Sequence, residues 1–298
     1  MCGIVGLFLK DHSLAPDLGG MLADMLVTMT DRGPDSAGIA IYDGAGSGAA
    51  KITIQSPDPD TDFDGLDSAL AGAIGVPVSL RIKATHAVLG MPADVVAQAR
   101  SALADLRPGC RVMSAGEAIE IYKEVGLPRD VAQRFGIGAM GGTHGIGHTR
   151  MATESAVTTM GAHPFSTGAD QCLVHNGSLS NHNNLRRDLR HKGVGFETDN
   201  DSEVAAAYLT ARMADGDDLG AALEAGLNDL DGFYTFVVGT RDGFGVLRDP
   251  VACKPAVMAE TDAYVAFGSE YRALAPLPGV DAGRVWEPEP ATVYFWRQ

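Results

Sequence analysis

The chain has 298 residues, 45% of them apolar, and carries 23 Lys and Arg against 38 Asp and Glu, a net charge of −15. This length fits one large domain or two small ones, and the composition is that of a globular protein. The charge disfavours nucleic acid and acidic lipid, both polyanions, and leaves a small zwitterionic substrate or a protein as easier partners.

Residues 2–9 (CGIVGLFL) and 38–43 (GIAIYD) read as buried strands, with an apolar helix at 21–29 (MLADMLVTM) between them. The first apolar run is short and ends in Lys10, Asp11 and His12, so neither a signal peptide nor a membrane-spanning helix is expected. The expected compartment is the cytoplasm. The acidic stretch SPDPDTDFDG, 56–65, contains two prolines and reads as a linker. From 66 to 135 a pattern of its own follows: alternation in VPVSLRI, a strand HAVLG, a helix over 94–106, a strand CRVMS, and a helix over 117–126 (EAIEIYKEVG). It predicts a small α/β insertion.

Strands are predicted again at 172–177, 233–240, 244–250 and 263–270, and helices at 181–192 and 201–214. FYTFVVGT, 233–240, is apolar on both alternating faces, which implies a strand covered above and below in a layered sandwich. The run GIGAMG at 136–141 satisfies GxGxxG, yet it precedes the strand-like GTHGIGHT instead of opening a helix, so the dinucleotide-binding context fails. His86 and His144 are expected to be packed or capping. Four cysteines lie far apart with no CxxC, which speaks against a disulfide framework or a zinc site. Three of them, Cys110, Cys172 and Cys253, are expected in the core.

Cys2 is different, because it follows the initiator methionine. Removal of Met1 puts a thiol and a free α-amine on one residue, and an α-amine titrates near pH ~8, close to where a general base works well. Nucleophile and base would then share a residue. Taken alone, a small buried cysteine at a strand edge is the simpler account, and the other motifs change that balance. Asn176-Gly177 closes a predicted strand, where a side-chain amide and a glycine N–H can donate to a developing oxyanion. Arg150 lies among small and polar residues just after another strand, and ETDNDSEVAA (197–206) crowds acidic groups at a helix start, where Asp and Ser also serve as caps.

The ordered set MCGIVG, DRGPDSAG (31–38), GHTRMAT (147–153), AHPF (162–165), HNGSLSN (175–181), DSEV (201–204), RDP (248–250) and GSE (268–270) resembles the class II glutamine amidotransferases, whose glutaminase domain belongs to the N-terminal-nucleophile hydrolases. The resemblance covers about residues 2–50 and 136–270. It implies a four-layer αββα sandwich over 1–298, an α/β (α+β) fold interrupted by the 66–135 insertion.

It also implies roles. Cys2 would attack the side-chain amide of glutamine, with Asn176 and Gly177 as oxyanion donors. Arg150 would pair with the substrate carboxylate and Asp201 with its ammonium, Thr153 and His163 would support the pocket, and Arg32 and Asp35 would brace the nucleophile's loop. Met151 and Glu154 depart from the commoner residues at the pocket lip. The chain is expected to lack the synthase half fused to many such domains, so ammonia would be used on another polypeptide.

The strings IYKEVGLPRDVAQRFGI and GTHGIGHTRMATESAV are similar to separate amidotransferase subunits of glutamate-synthase-like enzymes, notably N-methylglutamate synthase, with a glutamate-synthase-type assembly as the alternative. That resemblance implies FMN and iron-sulfur clusters on the partner subunit and no cofactor or metal in this chain. A non-catalytic glutamine-binding scaffold, or an amidase for another amide, remains open at this point.

Overall fold

The computed structural model describes residues 2–43, 48–152, 156–241 and 243–298. In chain order the first elements are β1 (Gly3–Leu9), α1 (Leu18–Thr28), β2 (Ser36–Tyr42) and β3 (Ala49–Gln55). Next come α2 (Pro59–Asp62), α3 (Leu66–Ile74), β4 (Ser79–Lys83), β5 (His86–Pro92), α4 (Val96–Leu106) and β6 (Arg111–Gly116). The middle holds β7 (Ile119–Val125), α5 (Pro128–Arg134), β8 (His144–Arg150), β9 (Phe165–Gly168) and β10 (Gln171–Leu179). Three helices follow, α6 (His182–His191), α7 (Asp201–Ala214) and α8 (Leu219–Asp229). The last strands are β11 (Gly232–Thr240), β12 (Gly243–Arg248), β13 (Val257–Glu260), β14 (Tyr264–Gly268), β15 (Arg284–Trp286) and β16 (Thr292–Arg297).

Two antiparallel sheets face one another. One has seven strands in the order β15-β13-β14-β1-β8-β2-β7, the other five in the order β16-β12-β11-β10-β9. Alternation along β1 shows how they stack: Ile4 and Phe8 enter the core between the sheets, whereas Val5, Leu7 and Leu9 pack under α1 and α5. Along β11, Val237 faces the inter-sheet core, and Phe236 and Val238 face α7 and α8. Helix, sheet, sheet and helix thus form the four layers expected, and FYTFVVGT is apolar because both its faces are covered.

The inserted unit has its own sheet, β4-β5-β3-β6, and its own core around Ile52, Phe63, Leu70 and Leu103. Its strands run from Ala49 to Gly116, so it begins before residue 66 and ends before residue 135. The stretch 56–65 is not a linker. Ser56 Oγ donates to Asp62 at 2.5 Å, α2 makes one turn there, and Phe63 is buried in the inserted core. Residues 117–126 form no helix either. They supply β7, the edge strand beside β2, with Ile119 and Ile121 facing the inter-sheet core and Tyr122 the opposite side. Glu120 on that outer face is paired with Lys51 at 3.3 Å and Arg81 at 2.6 Å, partners from distant strands that local spacing cannot reveal. His86 and His144 pack against aromatic rings as expected, and Cys110 and Cys172 are buried, but Cys253 is exposed.

Asp170 ties the inserted unit to the sandwich. Its carboxylate accepts from the amides of Glu117, Ala118 and Ile119 at 2.8, 2.8 and 3.0 Å, and its own amide donates to Ala115 at 3.0 Å. It holds a left-handed φ of 50°, which aspartate tolerates better than most residues. Asp170→Ala leaves three amides without their charged acceptor, and should cost about 3 kcal/mol. Urea unfolding checks this: the midpoint should fall with the slope unchanged.

Candidate active site

The parity that sends Ile4 and Phe8 between the sheets also sends Cys2 there. The backbone behind it is pinned on both sides: Gly3 N donates to Thr149 Oγ1 at 3.2 Å and Ile4 N to Ser269 Oγ at 2.9 Å. The Cys2 carbonyl accepts from Arg32 Nε at 3.0 Å and from Asn176 Nδ2 at 3.2 Å. Arg32 is oriented by Glu270, 2.5 Å away, whose other oxygen holds Arg272 at 2.7 Å. The Arg32 hydrogen bond, aided by Arg272, keeps the Glu270 carboxyl below its usual range. Cys2 itself is half-buried, with Sγ 4.0 Å from the Met151 carbonyl oxygen.

Asn176 and Gly177 lie within β10, which runs on to Leu179. Beyond Leu173 strand β9 no longer pairs with it, so one edge of β10 is open. Leu179 N leaves that edge to donate to Asp201 Oδ2 at 2.9 Å, and the His175 carbonyl accepts there from His148 Nε2 at 3.2 Å. Alternate residues direct their N–H groups to the same edge, so the Gly177 N–H faces it too. Only glycine fits: φ is +150°, and a Cβ would lie 2.0 Å from the Phe233 carbonyl oxygen.

Arg150 and Asp201 line one cavity of about 580 Å³, together with Ser178 and the wall segments around Met160 and Thr198. Arg150, at the end of β8, is buried, and its Nη1 donates to the Ala156 carbonyl at 3.4 Å. Asp201 opens α7, whose cap is Asn200: its side-chain oxygen accepts from Ser202 N at 2.8 Å. Cys2 and Asn176 do not line this cavity but adjoin it, since Met151 follows Arg150 and Gly177 precedes Ser178. Asp35 braces the rim by accepting from Ala152 N at 2.8 Å. Thr153 and Glu154 lie outside the described residues.

His163 does not reach the cavity. It is buried behind the wall, stacked on His148 with centroids 4.1 Å apart, and shares the Ser202 hydroxyl (2.8 Å) with His175 Nδ1 (2.9 Å). Burial lowers His148 to about 3 and His175 to about 4, and drives His163 well below the ordinary range. For His175 burial outweighs the attraction of Asp201, 3.8 Å away, so this contact is no ion pair at neutral pH. Glu270, Ser202, His148 and His175 were not assigned site positions from sequence. All four stand inside quoted motifs, GSE, DSEV, GHTRMAT and HNGSLSN, and that is the available signal.

Two facing sheets with an amino-terminal cysteine held at their rim define an N-terminal-nucleophile hydrolase arrangement. Residues 148–276 match the family model of the glutamine amidotransferase domain. The chain is 69% identical over 296 residues to the glutamine amidotransferase-like protein GlxB of Rhizobium meliloti, covering 99% of this chain and 98% of that protein. It is 32% identical over 183 residues to the amidophosphoribosyltransferase of Methanocaldococcus jannaschii, covering 60% of this chain and 38% of that one. The fold is that of the glutamine phosphoribosylpyrophosphate amidotransferase of B. subtilis, with a TM-score of 0.61 at 19% identity over 99% of this chain and 49% of that chain. This chain belongs to the class II glutamine amidotransferases.

The buried histidines make stability depend on pH. Unfolded, they titrate near 6.5. Below that pH the unfolded chain binds more protons than the folded one, so stability present at neutral pH is lost as the pH falls toward their folded values. Each histidine contributes up to about 1.4 kcal/mol per pH unit. The thermal midpoint should fall steadily from about pH 6.5 to about pH 5. A midpoint flat over that interval would contradict neutral buried imidazoles.

Proposed function

We propose that the chain is a glutaminase that supplies ammonia to a synthase subunit, with Cys2 as nucleophile. The observation that carries this reading is the pairing of Arg150 and Asp201 in one cavity that adjoins Cys2 and Asn176. Opposite charges in one cavity match the α-carboxylate and α-ammonium of a free amino acid, which a peptide-bound glutamine lacks. The side-chain amide then points toward the cysteine.

The Cys2 α-amine, freed by removal of Met1, accepts the thiol proton as sulfur attacks the amide carbon. The new oxyanion takes the Gly177 N–H and an amide hydrogen of Asn176. One Asn176 hydrogen goes to the Cys2 carbonyl, and a carboxamide has two to give. The protonated α-amine returns its proton to the departing nitrogen, ammonia leaves, and a γ-glutamyl thioester remains. Water, deprotonated by the same amine, releases glutamate and restores the thiol. Arg32 and Asp35 hold the nucleophile and the rim, His163 supports the wall from behind, and Thr153 is a further supporting residue on this reading.

For the acceptor, the strings IYKEVGLPRDVAQRFGI and GTHGIGHTRMATESAV favour a cytoplasmic N-methylglutamate synthase subunit, ahead of a glutamate-synthase-type assembly. FMN and iron-sulfur clusters belong to that partner on this reading, and the inserted sheet is its contact. Ammonium is mostly protonated at neutral pH and a poor nucleophile, which is why a docked synthase is needed.

Cys2→Ala should abolish ammonia release from glutamine while leaving the thermal midpoint nearly unchanged, because a small side chain suits the strand edge. Asn176→Ala should lower kcat about 100-fold. Undiminished release by Cys2→Ala would refute the assignment. Arg150→Ala should raise KM for glutamine steeply, and unchanged turnover would point to a different amide as substrate. Co-purification with neighbouring subunits, then assay with glutamine plus methylamine or 2-oxoglutarate, tests the acceptor.

A further inference from the structure

A second cavity, of about 630 Å³, lies between β6 of the inserted sheet, β9 and the flank of α7. Met160, Glu197 and Thr198 line both this cavity and the one containing Arg150 and Asp201, so the two share a wall. Each part of that wall is held by a buried charge that itself lines the second cavity. Lys123 Nζ donates to the carbonyls of Met160, Ala162 and Pro164 at 3.3, 2.8 and 3.2 Å. Glu203 accepts from the amides of Glu197 and Thr198, both at 2.8 Å, and from the Thr198 hydroxyl at 2.6 Å.

Lys123 is 4% exposed; among the described residues it donates to these neutral carbonyls and lies over the Phe165 ring, 4.7 Å from its centroid, with no carboxylate in ion-pair contact. Glu197 and Glu203 act on it only from a distance. A buried ammonium without a counter-ion is costly and draws an anion. Ser114, 2% exposed, lines the same cavity, and its hydroxyl has no partner among the described residues. Much of the remaining wall is apolar, including Phe165, Ala207 and Ala211. The lining also carries Arg100 and the Lys192–Asp215 pair at 3.8 Å, both at the exposed side, whereas Lys123 is its buried cation; with one unclaimed hydroxyl and apolar walls beside it, this suits a small molecule with a single carboxylate and a short hydrocarbon body. The three acidic residues in the lining, Glu197, Glu203 and Asp215, disfavour a dianion such as phosphate.

We propose that this second cavity is a regulatory site for a small monocarboxylate, and that filling it loosens the glutamine pocket. The second half rests on the glutaminase reading, and the first does not. A carboxylate reaching Lys123 takes the donor now given to Met160, the longest of its three contacts. The carbonyl so released belongs to the shared wall, which then loses an anchor. Carboxylate and glutamine therefore weaken each other's binding by the same factor.

Thermal-shift titration of the full chain with sodium butyrate reads the site without turnover, with butylammonium chloride and inorganic phosphate as controls at equal ionic strength. Butyrate should raise the melting temperature by a few degrees while the controls do not. The rise should vanish in Lys123→Met and also in Ala211→Phe, which fills the cavity and keeps the Lys123 contacts. No shift with butyrate, an equal shift with either control, or a shift that survives Ala211→Phe overturns the site. With the site occupied, KM for glutamine should rise about 5- to 10-fold at constant kcat. An unchanged KM beside intact butyrate binding overturns the coupling alone. A chain that releases no ammonia under any condition would refute the glutaminase reading, and the thermal shift would still decide the site.

Discussion

The proposed chemistry depends on how the carbonyl of Cys2 is held. A residue second in the chain has almost no preceding backbone to fix it, so its position comes from other segments. Here Arg32 and Asn176 supply two donors from different layers, one from the turn before β2 and one from β10 in the facing sheet. Glu270 then orients Arg32, and Thr149 and Ser269 fix the next two amides. Four segments far apart in sequence converge on residues 2–4. The sandwich is what makes that convergence possible, since β1 is central in its sheet, between β14 and β8.

The same logic runs through the pocket. Arg150 ends β8 beside β1, and Asp201 starts α7 against the opposite sheet, so two sheets packed face to face separate the charges by the space of one cavity. The histidines behind the wall carry no charge at neutral pH, because burial outweighs the pull of Asp201. The Ser202 hydroxyl, shared by two imidazoles, anchors the start of α7 to β10 and to the His163 segment. Buried polar groups here set positions more than they add stability.

How much of this the sequence discloses depends on whether the determining partners are local. The helices at 182–191 and 201–214 were legible to within a residue, because their periodicity and caps are local. So was β11, apolar on both faces because two layers cover it. The 117–126 stretch misleads for the opposite reason: its glutamates and lysine suit a helix, but Glu120 answers to Lys51 and Arg81 from other strands. The 56–65 stretch misleads by composition: Asp62 accepts from Ser56 across a single helical turn, and Phe63 beside it is buried in the inserted core. At the site, Cys2, Asn176, Arg150 and Asp201 were reached through ordered motifs. The same motifs put His163 at the pocket, whereas it lies behind the wall, and nothing local to Glu270 or Ser202 discloses their partners. Their roles arise only when distant segments meet.

The central claim is that the thiol of Cys2, freed beside its own amine, becomes acylated by glutamine. Rapid mixing of the protein with glutamine, acid quench and mass spectrometry of the amino-terminal peptide tests it most directly. The account predicts a peptide that begins at Cys2 and carries one glutamyl group as a thioester. A peptide that retains Met1, or a glutamyl group found on another residue, would contradict it.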